Sequence, residues 1–488
     1  MSEQQAASAA SIGAKAGRGL AWSLAAATVA KAGSFAMGLV LARLLSPEDF
    51  GLYAVALAAA AFLMHVNDVG IITGVIQWRE KLDDAIPTAT TLALGFSVLA
   101  YAAFWFAAPG FATLAGAPAA TSVLRLLTLV IVIDGVTAVR IAVLQRDFRQ
   151  QKIAIGNFIG LIAQVPVSIL LAAYGWGPLS FALGQLAHDL VAAVLFLCWA
   201  RLPISFGFDR TVARKLVRFG APLAAGLGIE ALLMNADYVI VGQLLGAALL
   251  GYYLLAFNVS SWVANILGTA IRYVSVAGFS RLAEREGELQ TGLRRSIAAL
   301  LAAVLPVAAI LGVLAVPLIV FLYGERWAPA AAALTYLMIL SVFRLVIGIG
   351  LDALMATGAT WAALVVHGVW AAALLPALYI GTTLFGIRGT AVAHVLVAAA
   401  VAIPAMAIAL RRVGVLISPI ARGALRPLIS ATAAGAAAWI VVAVSVPRPF
   451  VELVTAGGLG LLVYVVTAFP ASEIRRAYRQ VQRRIRQS

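Results

Sequence analysis

The chain has 488 residues, of which 63% are hydrophobic and 11% are charged, and its mean hydropathy is +1.00. Soluble globular domains are about half apolar and about a quarter charged, so this composition excludes a water-soluble fold and requires lipid as the solvent. The formal net charge of +15 does not indicate nucleic-acid binding, because the basic residues lie mainly in loops between apolar spans, and the single cysteine excludes an internal disulfide.

A membrane-spanning helix needs about 20 consecutive apolar residues, and windows of that size predict fourteen spans. The alternating pattern of a membrane β-barrel is missing from the sequence. We therefore predict an all-α, polytopic membrane protein with about 14 transmembrane helices. The predicted spans are residues 20–42, 51–76, 85–107, 121–145, 153–173, 178–200, 217–243, 250–276, 296–322, 331–356, 360–381, 388–410, 427–446 and 450–470.

The distribution of basic residues predicts the orientation, since short cytoplasmic loops carry an excess of Lys and Arg. With fourteen helices and both termini cytoplasmic, most of the 35 basic residues fall in cytoplasmic segments. The basic residues predicted on the opposite side are Arg43, Arg326, Arg388 and Arg448. We expect a multi-pass protein of the inner (plasma) membrane whose basic cytoplasmic tail, residues 471–488, contacts anionic lipid headgroups.

Two parts of the chain resemble each other at a constant offset of 200 residues. Leu44, Leu45, Gly51 and Tyr53 correspond to Leu244, Leu245, Gly251 and Tyr253. Because six helices separate the two motifs, both halves enter the membrane in the same direction, which predicts two six-helix parallel repeats. The predicted domains are an N-lobe of helices 1–6 (residues 1–205), a C-lobe of helices 7–12 (206–412), two C-terminal helices (413–470) and the tail.

Five short motifs carry a family resemblance. They are Leu41-Ala-Arg-Leu-Leu-Ser-Pro-Glu-Asp-Phe-Gly-Leu-Tyr53, Leu144-Gln-Arg-Asp-Phe148, Asn235-Ala-Asp-Tyr-Val-Ile-Val-Gly242, Tyr323-Gly-Glu-Arg-Trp327 and Phe385-Gly-Ile-Arg-Gly389. With these motifs, residues 15–412 resemble the Wzx-type polysaccharide flippase family of the multidrug/oligosaccharidyl-lipid/polysaccharide exporter superfamily.

The resemblance implies translocation of an undecaprenyl-diphosphate-linked oligosaccharide from the cytoplasmic to the periplasmic leaflet of the inner membrane. Two lobes would provide alternating access, and the product would serve surface or secreted polysaccharides such as lipopolysaccharide or exopolysaccharide. The implied partners are membrane lipids and the polysaccharide polymerase and chain-length machinery, with no cofactor and no nucleic acid. The resemblance does not indicate which glycan is transported.

The first motif has a physical explanation of its own. Ser46 can cap the helix that follows it, Pro47 suits the first turn, and Glu48 and Asp49 favour the positive N-terminal end of the helix dipole. The motif therefore predicts a tight helix–loop–helix connection rather than a binding site.

Cations within the predicted spans are the expected diphosphate-binding groups, because ionisable side chains in membranes usually face a polar interior and guanidinium matches phosphate oxygens. The predicted cationic cavity comprises Lys31, Arg272, Arg344 and Arg140. For each of these cations, the alternative is a structural ion pair or a side chain that snorkels to the interface. Snorkelling is the favoured explanation for Arg140, which lies near a helix end.

Anions within the spans are possible sites for a coupling proton or Na⁺. We assign this role to Glu230, Asp237 and Asp68. For Glu230 and Asp237, pairing with a cation across the lobe interface is an equally good explanation. The four histidines, His65, His188, His367 and His394, are scattered over four helices without a metal-binding spacing. This spacing predicts no metal site. No Walker loop is present, so we also expect no ATP hydrolysis by the chain itself.

Three other functions are alternatives to this prediction. A lipid II flippase would also move a lipid diphosphate, and a MATE-type drug exporter would require an anionic cavity for a cationic substrate. An enzyme such as a polysaccharide polymerase would need catalytic groups outside the membrane. The longest predicted external loop, residues 108–120, contains no charged residue and leaves no place for acid–base catalysis. We therefore predict a transporter and not an enzyme.

Overall fold

The computed structural model describes residues 31–67, 71–76, 78, 81–202, 205–221, 235–262, 288–446 and 448–469. Within these residues the regular secondary structure is helical throughout, which confirms the predicted all-α class. The chain divides into two compact units, an N-terminal unit of residues Met1–Gly251 and a C-terminal unit of residues Tyr252–Ser488.

The helices are numbered in chain order. They are α1 (31–44), α2 (Pro47–Asn67), α3 (Ile71–Ile76), α4 (Leu82–Leu114), α5 (Thr121–Thr128), α6 (Val130–Arg146), α7 (Gln150–Ala173), α8 (Leu179–Ala200), α9 (210–221), α10 (Ala236–Leu245), α11 (247–262), α12 (Glu288–Val313), α13 (Ala315–Tyr323), α14 (Ala331–Ala356), α15 (Thr360–Val397), α16 (Ile403–Arg412), α17 (Ile417–Val444) and α18 (Pro449–Ala468).

Ten helical segments of the described residues are long and apolar enough to cross a membrane. Each of them overlaps a predicted span, and one of them, Trp361–Arg412, covers two. A straight helix of its 52 residues would be about 78 Å long, well over the roughly 30 Å of the hydrocarbon core. The predicted spans 20–42, 51–76, 217–243, 250–276 and 450–470 include residues outside the described part of the chain.

The segment Trp361–Arg412 turns back on itself at Phe385 and Gly386, where the backbone leaves helical geometry. Gly386 has φ 58° and ψ −145°, a conformation that a side chain would strain. The hydroxyl groups of Thr382 and Thr390, on either side of the turn, lie 2.8 Å apart in a buried hydrogen bond. The turn therefore separates the two predicted spans 360–381 and 388–410.

The beginning of α2 has the hydrogen bonds of a capping box. The Asp49 backbone N–H donates to Ser46 Oγ (3.1 Å), and Asp49 Oδ2 accepts from the backbone N–H (2.8 Å) and the hydroxyl (2.7 Å) of Ser46. Pro47 is the first helical residue. This geometry confirms the capping role predicted for the motif.

Asp209 caps the N-terminal end of α9 with its side chain. Its carboxylate accepts hydrogen bonds from the backbone N–H groups of Val212 (3.0 Å) and Thr211 (2.7 Å). These bonds stabilise the ionised form and lower the pKa of the Asp209 carboxyl below its ordinary value.

Small residues let α7 and α8 approach closely, as is common between membrane helices. A Cβ atom added to Gly156 would overlap the ring of Phe196, and one added to Gly184 would overlap Oγ of Ser168. At Gly160 an added Cβ would lie 2.8 Å from both Cδ2 and the backbone oxygen of His188. The pair α7–α8 therefore forms a tightly packed wall of the N-terminal unit.

In the C-terminal unit, α17 and α18 pack against α12. Ile310 and Leu314 form a buried cluster with Ala434 and Tyr464, among others. The Tyr464 hydroxyl donates to the backbone oxygen of Ala302 at 2.8 Å. The two predicted C-terminal helices are thus part of the core of this unit.

Candidate functional site

The predicted cations have different surroundings. Lys31 on α1 is exposed and makes no salt bridge within the described residues, and Arg344 on α14 is also exposed. The Arg344 guanidinium lies 5.3 Å from the ring centre of Phe257, within range of a cation–π interaction. Arg272 lies outside the described residues.

Arg140 on α6 is only 1% exposed. Its Nη1 donates to the backbone oxygen of Val136, one turn earlier, at 3.3 Å. Burial of this depth argues against the alternative in which Arg140 snorkels to the interface, because a snorkelling side chain keeps its charged end at the interface.

One predicted anion is described. Asp237, in the first turn of α10, is 1% exposed, and its Oδ1 accepts a hydrogen bond from the backbone N–H of Tyr238 at 3.0 Å. A carboxylate in this position interacts favourably with the helix dipole. Glu230 and Asp68 lie outside the described residues.

The N-terminal unit contains a polar cavity that these predictions did not locate. Its volume is about 140 Å³, and α2, α6, α7 and α8 contribute its walls. Four polar residues line it, Asp134 and Thr137 from α6, Asn157 from α7 and Asp189 from α8. A space of this size is large enough for several water molecules, and it brings two carboxyl groups together between apolar helices.

Buried amide and hydroxyl groups orient Asp134 on one side of the cavity. Asn67 Nδ2 donates to Asp134 Oδ2 at 3.1 Å, and Asn67 Oδ1 accepts from Ser97 Oγ at 2.7 Å. The approach of Ser97 to α6 depends on Gly135, where an added Cβ would overlap the Ser97 hydroxyl. Asp134 is therefore positioned by a chain of side chains from α4 and α2.

A second chain of hydrogen bonds orients Asp189 on the other side. His188 Nδ1 lies 2.8 Å from Asp189 Oδ1, and Gln185 Nε2 donates to Asp189 Oδ2 at 2.9 Å. Gln164 Nε2 on α7 donates to Gln185 Oε1 at 3.1 Å. The side chains of His188 and Asp189 are 17% and 19% exposed.

The sequence contained a signal for the second network. His188 and Asp189 are adjacent titratable residues in the middle of an apolar span, where ionisable groups are costly. Taken alone, His188 is one of four scattered histidines, and Asp189 is one acidic residue among those within the predicted spans. The partners Asn67 and Ser97 are neutral, and a search for charged residues does not find them.

Comparison with known families gives a match over most of the chain. Residues 40–332 match the family described as "Polysaccharide biosynthesis protein".

Two characterised proteins are similar in sequence. The succinoglycan biosynthesis transport protein ExoT of Rhizobium meliloti is 27% identical over 325 residues, which are 64% of this chain and 63% of ExoT. The lipopolysaccharide biosynthesis protein WzxC of Escherichia coli is 23% identical over 330 residues, which are 67% of each chain. The similarity thus spans just under two thirds of ExoT's length.

Solved structures of two transporters share the fold. The lipid II flippase MurJ, in an inward closed conformation, has a TM-score of 0.77 and 14% identity, with 92% of this chain and 98% of MurJ covered. An inward-facing MATE-family multidrug transporter has a TM-score of 0.60 and 18% identity, with 80% of this chain and 95% of the transporter covered. At these identities the likeness concerns the fold alone.

Proposed function

The chain belongs to the polysaccharide biosynthesis protein family and to the Wzx-type flippases of the multidrug/oligosaccharidyl-lipid/polysaccharide exporter superfamily, and from this premise we propose its substrate. We infer that it translocates an undecaprenyl-diphosphate-linked oligosaccharide repeat unit across the inner membrane. The family match over residues 40–332 is the observation that carries the proposal.

The names of the relatives support this substrate class. One relative is a transport protein of succinoglycan biosynthesis and another acts in lipopolysaccharide biosynthesis. The fold is also one on which another protein flips lipid II, so it is compatible with moving a glycan attached to a lipid. A transporter of this kind supplies repeat units to a polymerase and its chain-length machinery on the outer side.

In the proposed mechanism, cations bind the diphosphate of the lipid carrier. Lys31, Arg272, Arg344 and Arg140 are the residues to which we assign this role, because guanidinium and ammonium groups compensate phosphate charge where water is scarce. Lys31 and Arg344 are exposed and so accessible to a substrate. The N-lobe (residues 1–205) and C-lobe (206–412) provide alternating access.

The membrane potential favours this transport direction. The interior of the cell is negative, and outward movement of a negative charge gains about 2.3 kcal/mol per elementary charge per 100 mV. A doubly negative headgroup therefore contributes its own driving force. Glu230, Asp237 and Asp68 are the further positions at which we propose that a coupling ion binds.

The proposal is tested by depletion of the protein in its own host. We expect the surface or secreted polysaccharide to disappear while undecaprenyl-diphosphate-linked repeat units accumulate in the inner leaflet, because synthesis of the repeat unit continues. Restoring the wild-type gene on a plasmid should reverse both effects. Normal polysaccharide after depletion would contradict the proposal, and sensitivity to cationic drugs without loss of polysaccharide would indicate a MATE-type exporter.

A further inference from the structure

A proline in α4 deprives one backbone carbonyl of its helical partner, and an arginine supplies the missing donor. Pro109 lies inside α4 and has no N–H, so the carbonyl oxygen of Trp105, four residues earlier, cannot accept the usual helical hydrogen bond. Nε of Arg125, on the neighbouring helix α5, donates to this oxygen at 3.1 Å. The proline therefore creates the acceptor that one edge of the Arg125 guanidinium binds.

Two aromatic side chains of α4 hold Arg125 in position. Its guanidinium carbon lies 4.6 Å from the centre of the Trp105 ring, within range of a cation–π interaction. Tyr101, one turn before Trp105, contacts that ring edge-on at a centroid distance of 5.9 Å, and its hydroxyl donates to the backbone oxygen of Arg125 at 3.2 Å. The side chain and the backbone of Arg125 are both fixed by α4, so a ligand would have little rotamer freedom left to restrict.

The two Nη groups of Arg125 remain available to a ligand. Among the described residues, neither Nη1 nor Nη2 makes a hydrogen bond, and Arg125 takes part in no salt bridge. Arg125 is also the only charged residue between positions 85 and 133 of the sequence. Two adjacent Nη groups match two oxygens of one phosphate in a bidentate pair. The site therefore has the charge and the donors to bind one singly charged phosphate group.

The position of the site along α4 places it near one boundary of the membrane. Asp83 and Asp84, in the first turn of α4, mark the opposite boundary, because carboxylates avoid the hydrocarbon core. Trp105 follows Asp84 by 21 residues, which is about 32 Å of helix and matches the roughly 30 Å of the core. Trp105 is 39% exposed and Phe106 is 81% exposed, and tryptophan is enriched at the headgroup level. A ligand of Arg125 would therefore come from the headgroup layer.

We propose that Arg125, held by Trp105 and Tyr101, binds the phosphate of an anionic phospholipid such as phosphatidylglycerol. A zwitterionic phospholipid binds less well, because its own ammonium group competes for the phosphate charge. A polyprenyl diphosphate is a poorer ligand, since one guanidinium leaves part of the diphosphate charge uncompensated. The site does not depend on the function proposed above, because α4 and α5 do not line the cavity between α2, α6, α7 and α8.

The lipid preference of this site can be measured with the full chain in vesicles. Phe106→Cys in a Cys198→Ala background allows a single fluorescent label beside Arg125, because Cys198 is the only cysteine of the chain. Brominated lipids quench the label when they lie next to it. Quenching in mixtures of phosphatidylglycerol and phosphatidylcholine, with one or the other brominated, gives their relative association constant at this position. We expect a several-fold preference for phosphatidylglycerol.

Substitutions in the labelled chain separate charge from geometry. Arg125→Gln should abolish the preference, whereas Arg125→Lys should keep part of it, because the charge remains without the bidentate geometry. Pro109→Ala should weaken the preference although every charge is retained, since alanine supplies the N–H that returns the Trp105 carbonyl to the helix and releases Nε of Arg125. The control Arg149→Gln removes an exposed cation elsewhere and should change nothing.

A second variant guards against loss of folding. Arg125→Gln leaves the Trp105 carbonyl without its donor, but the double variant Arg125→Gln/Pro109→Ala restores a helical donor while it removes the charge. An unchanged phosphatidylglycerol preference in the folded double variant would overturn the site. Unlabelled undecaprenyl diphosphate tests the other source of phosphate. If it displaces brominated phosphatidylglycerol at a much lower mole fraction than unlabelled phosphatidylglycerol does, the ligand is the polyprenyl carrier and the phospholipid assignment is wrong. Equal or weaker displacement supports the phospholipid.

Discussion

Gly51 of α2 and Gly251 of α11 pack directly against each other. A Cβ atom added to Gly251 would lie 3.1 Å from the backbone nitrogen of Gly51 and would overlap the carbonyl oxygen of Pro47, and one added to Gly51 would overlap the carbonyl oxygen of Ala247. The contact is reciprocal, because the same offset of 200 residues relates Gly51 to Gly251 and Pro47 to Ala247. The two motifs that resemble each other in sequence therefore meet through their backbones.

Replacement of either glycine by alanine should destabilise the protein. The overlapping atoms belong to the backbone and cannot rotate away, so the overpacking costs about 1–3 kcal/mol, which outweighs the roughly 1 kcal/mol that alanine gains in a helix. We expect Gly251→Ala and Gly51→Ala to lower the thermal unfolding midpoint in detergent, followed by intrinsic fluorescence. The control is Gly95→Ala in α4, where no atom lies within 4 Å of an added Cβ. Equal midpoints for all three variants would show that the contact is unimportant.

The sequence predicted the helices better than their interruptions. The spans 153–173 and 178–200 correspond closely to α7 and α8 because hydropathy over 20 residues records the thickness of the membrane. The span 296–322 conceals a break at Leu314, since the residues on both sides are equally apolar. Hydropathy does not report the backbone dihedral angles, which leave helical values at Leu314 (φ −84°, ψ 17°).

The polar cavity could not be predicted from the sequence, because it depends on contacts between residues that are far apart in the chain. Asn67 and Asp134 are 67 positions apart, and only the packing of α2 against α6 brings them within 3.1 Å. The resemblance of Gly51 and Gly251 was visible in the sequence, but similarity alone does not predict contact. Single-residue properties thus identified the class of protein, while the site depends on which helix faces meet.

The cap of α2 offers a test of the first motif. Ser46→Ala removes the side-chain acceptor for the backbone N–H of Asp49 and should cost roughly 0.5–2 kcal/mol of unfolding free energy. Ser46→Asn should have little effect, because asparagine caps helices about as well as serine. Both variants can be compared with the wild type by chemical unfolding in mixed micelles. If alanine and asparagine behave alike, the hydrogen bonds seen at Ser46 do not stabilise the helix.

The orientation of the chain can be tested with reporter fusions. With fourteen crossings and cytoplasmic termini, fusions after residues 47, 114, 326 and 448 should report a periplasmic location. Fusions after residues 82, 148, 210, 288 and 418 should report a cytoplasmic location, because basic loops are retained inside. Alkaline phosphatase and green fluorescent protein provide complementary signals at each position. An inversion that persists from one fusion onward would disprove the helix count.

The proposed diphosphate-binding cations can be distinguished by charge. Lys31→Ala and Arg344→Ala should abolish polysaccharide export while the protein remains folded and inserted, and Arg344→Lys should retain part of it because the charge survives without the bidentate geometry. Export is measured as cell-surface or secreted polysaccharide per amount of membrane protein.

Arg149→Ala is the matched control for these cations. Arg149 pairs with Asp147 at 3.7 Å, and both side chains are nearly half exposed, so the pair contributes little. Its removal should leave export unchanged. Normal export by the Lys31 and Arg344 alanine variants would show that these cations are structural.

The central claim is that this protein moves a lipid-linked oligosaccharide between leaflets, and flipping by the purified protein in sealed vesicles tests it most directly. Undecaprenyl-diphosphate-linked oligosaccharide is incorporated into both leaflets, and a membrane-impermeant glycosidase is added outside to remove the terminal sugar. Without protein, substrate in the inner leaflet stays protected. With the wild-type protein we predict that this protected fraction becomes accessible, faster with an imposed potential that draws the anionic headgroup outward. Protection that persists with folded wild-type protein at every potential would contradict the account.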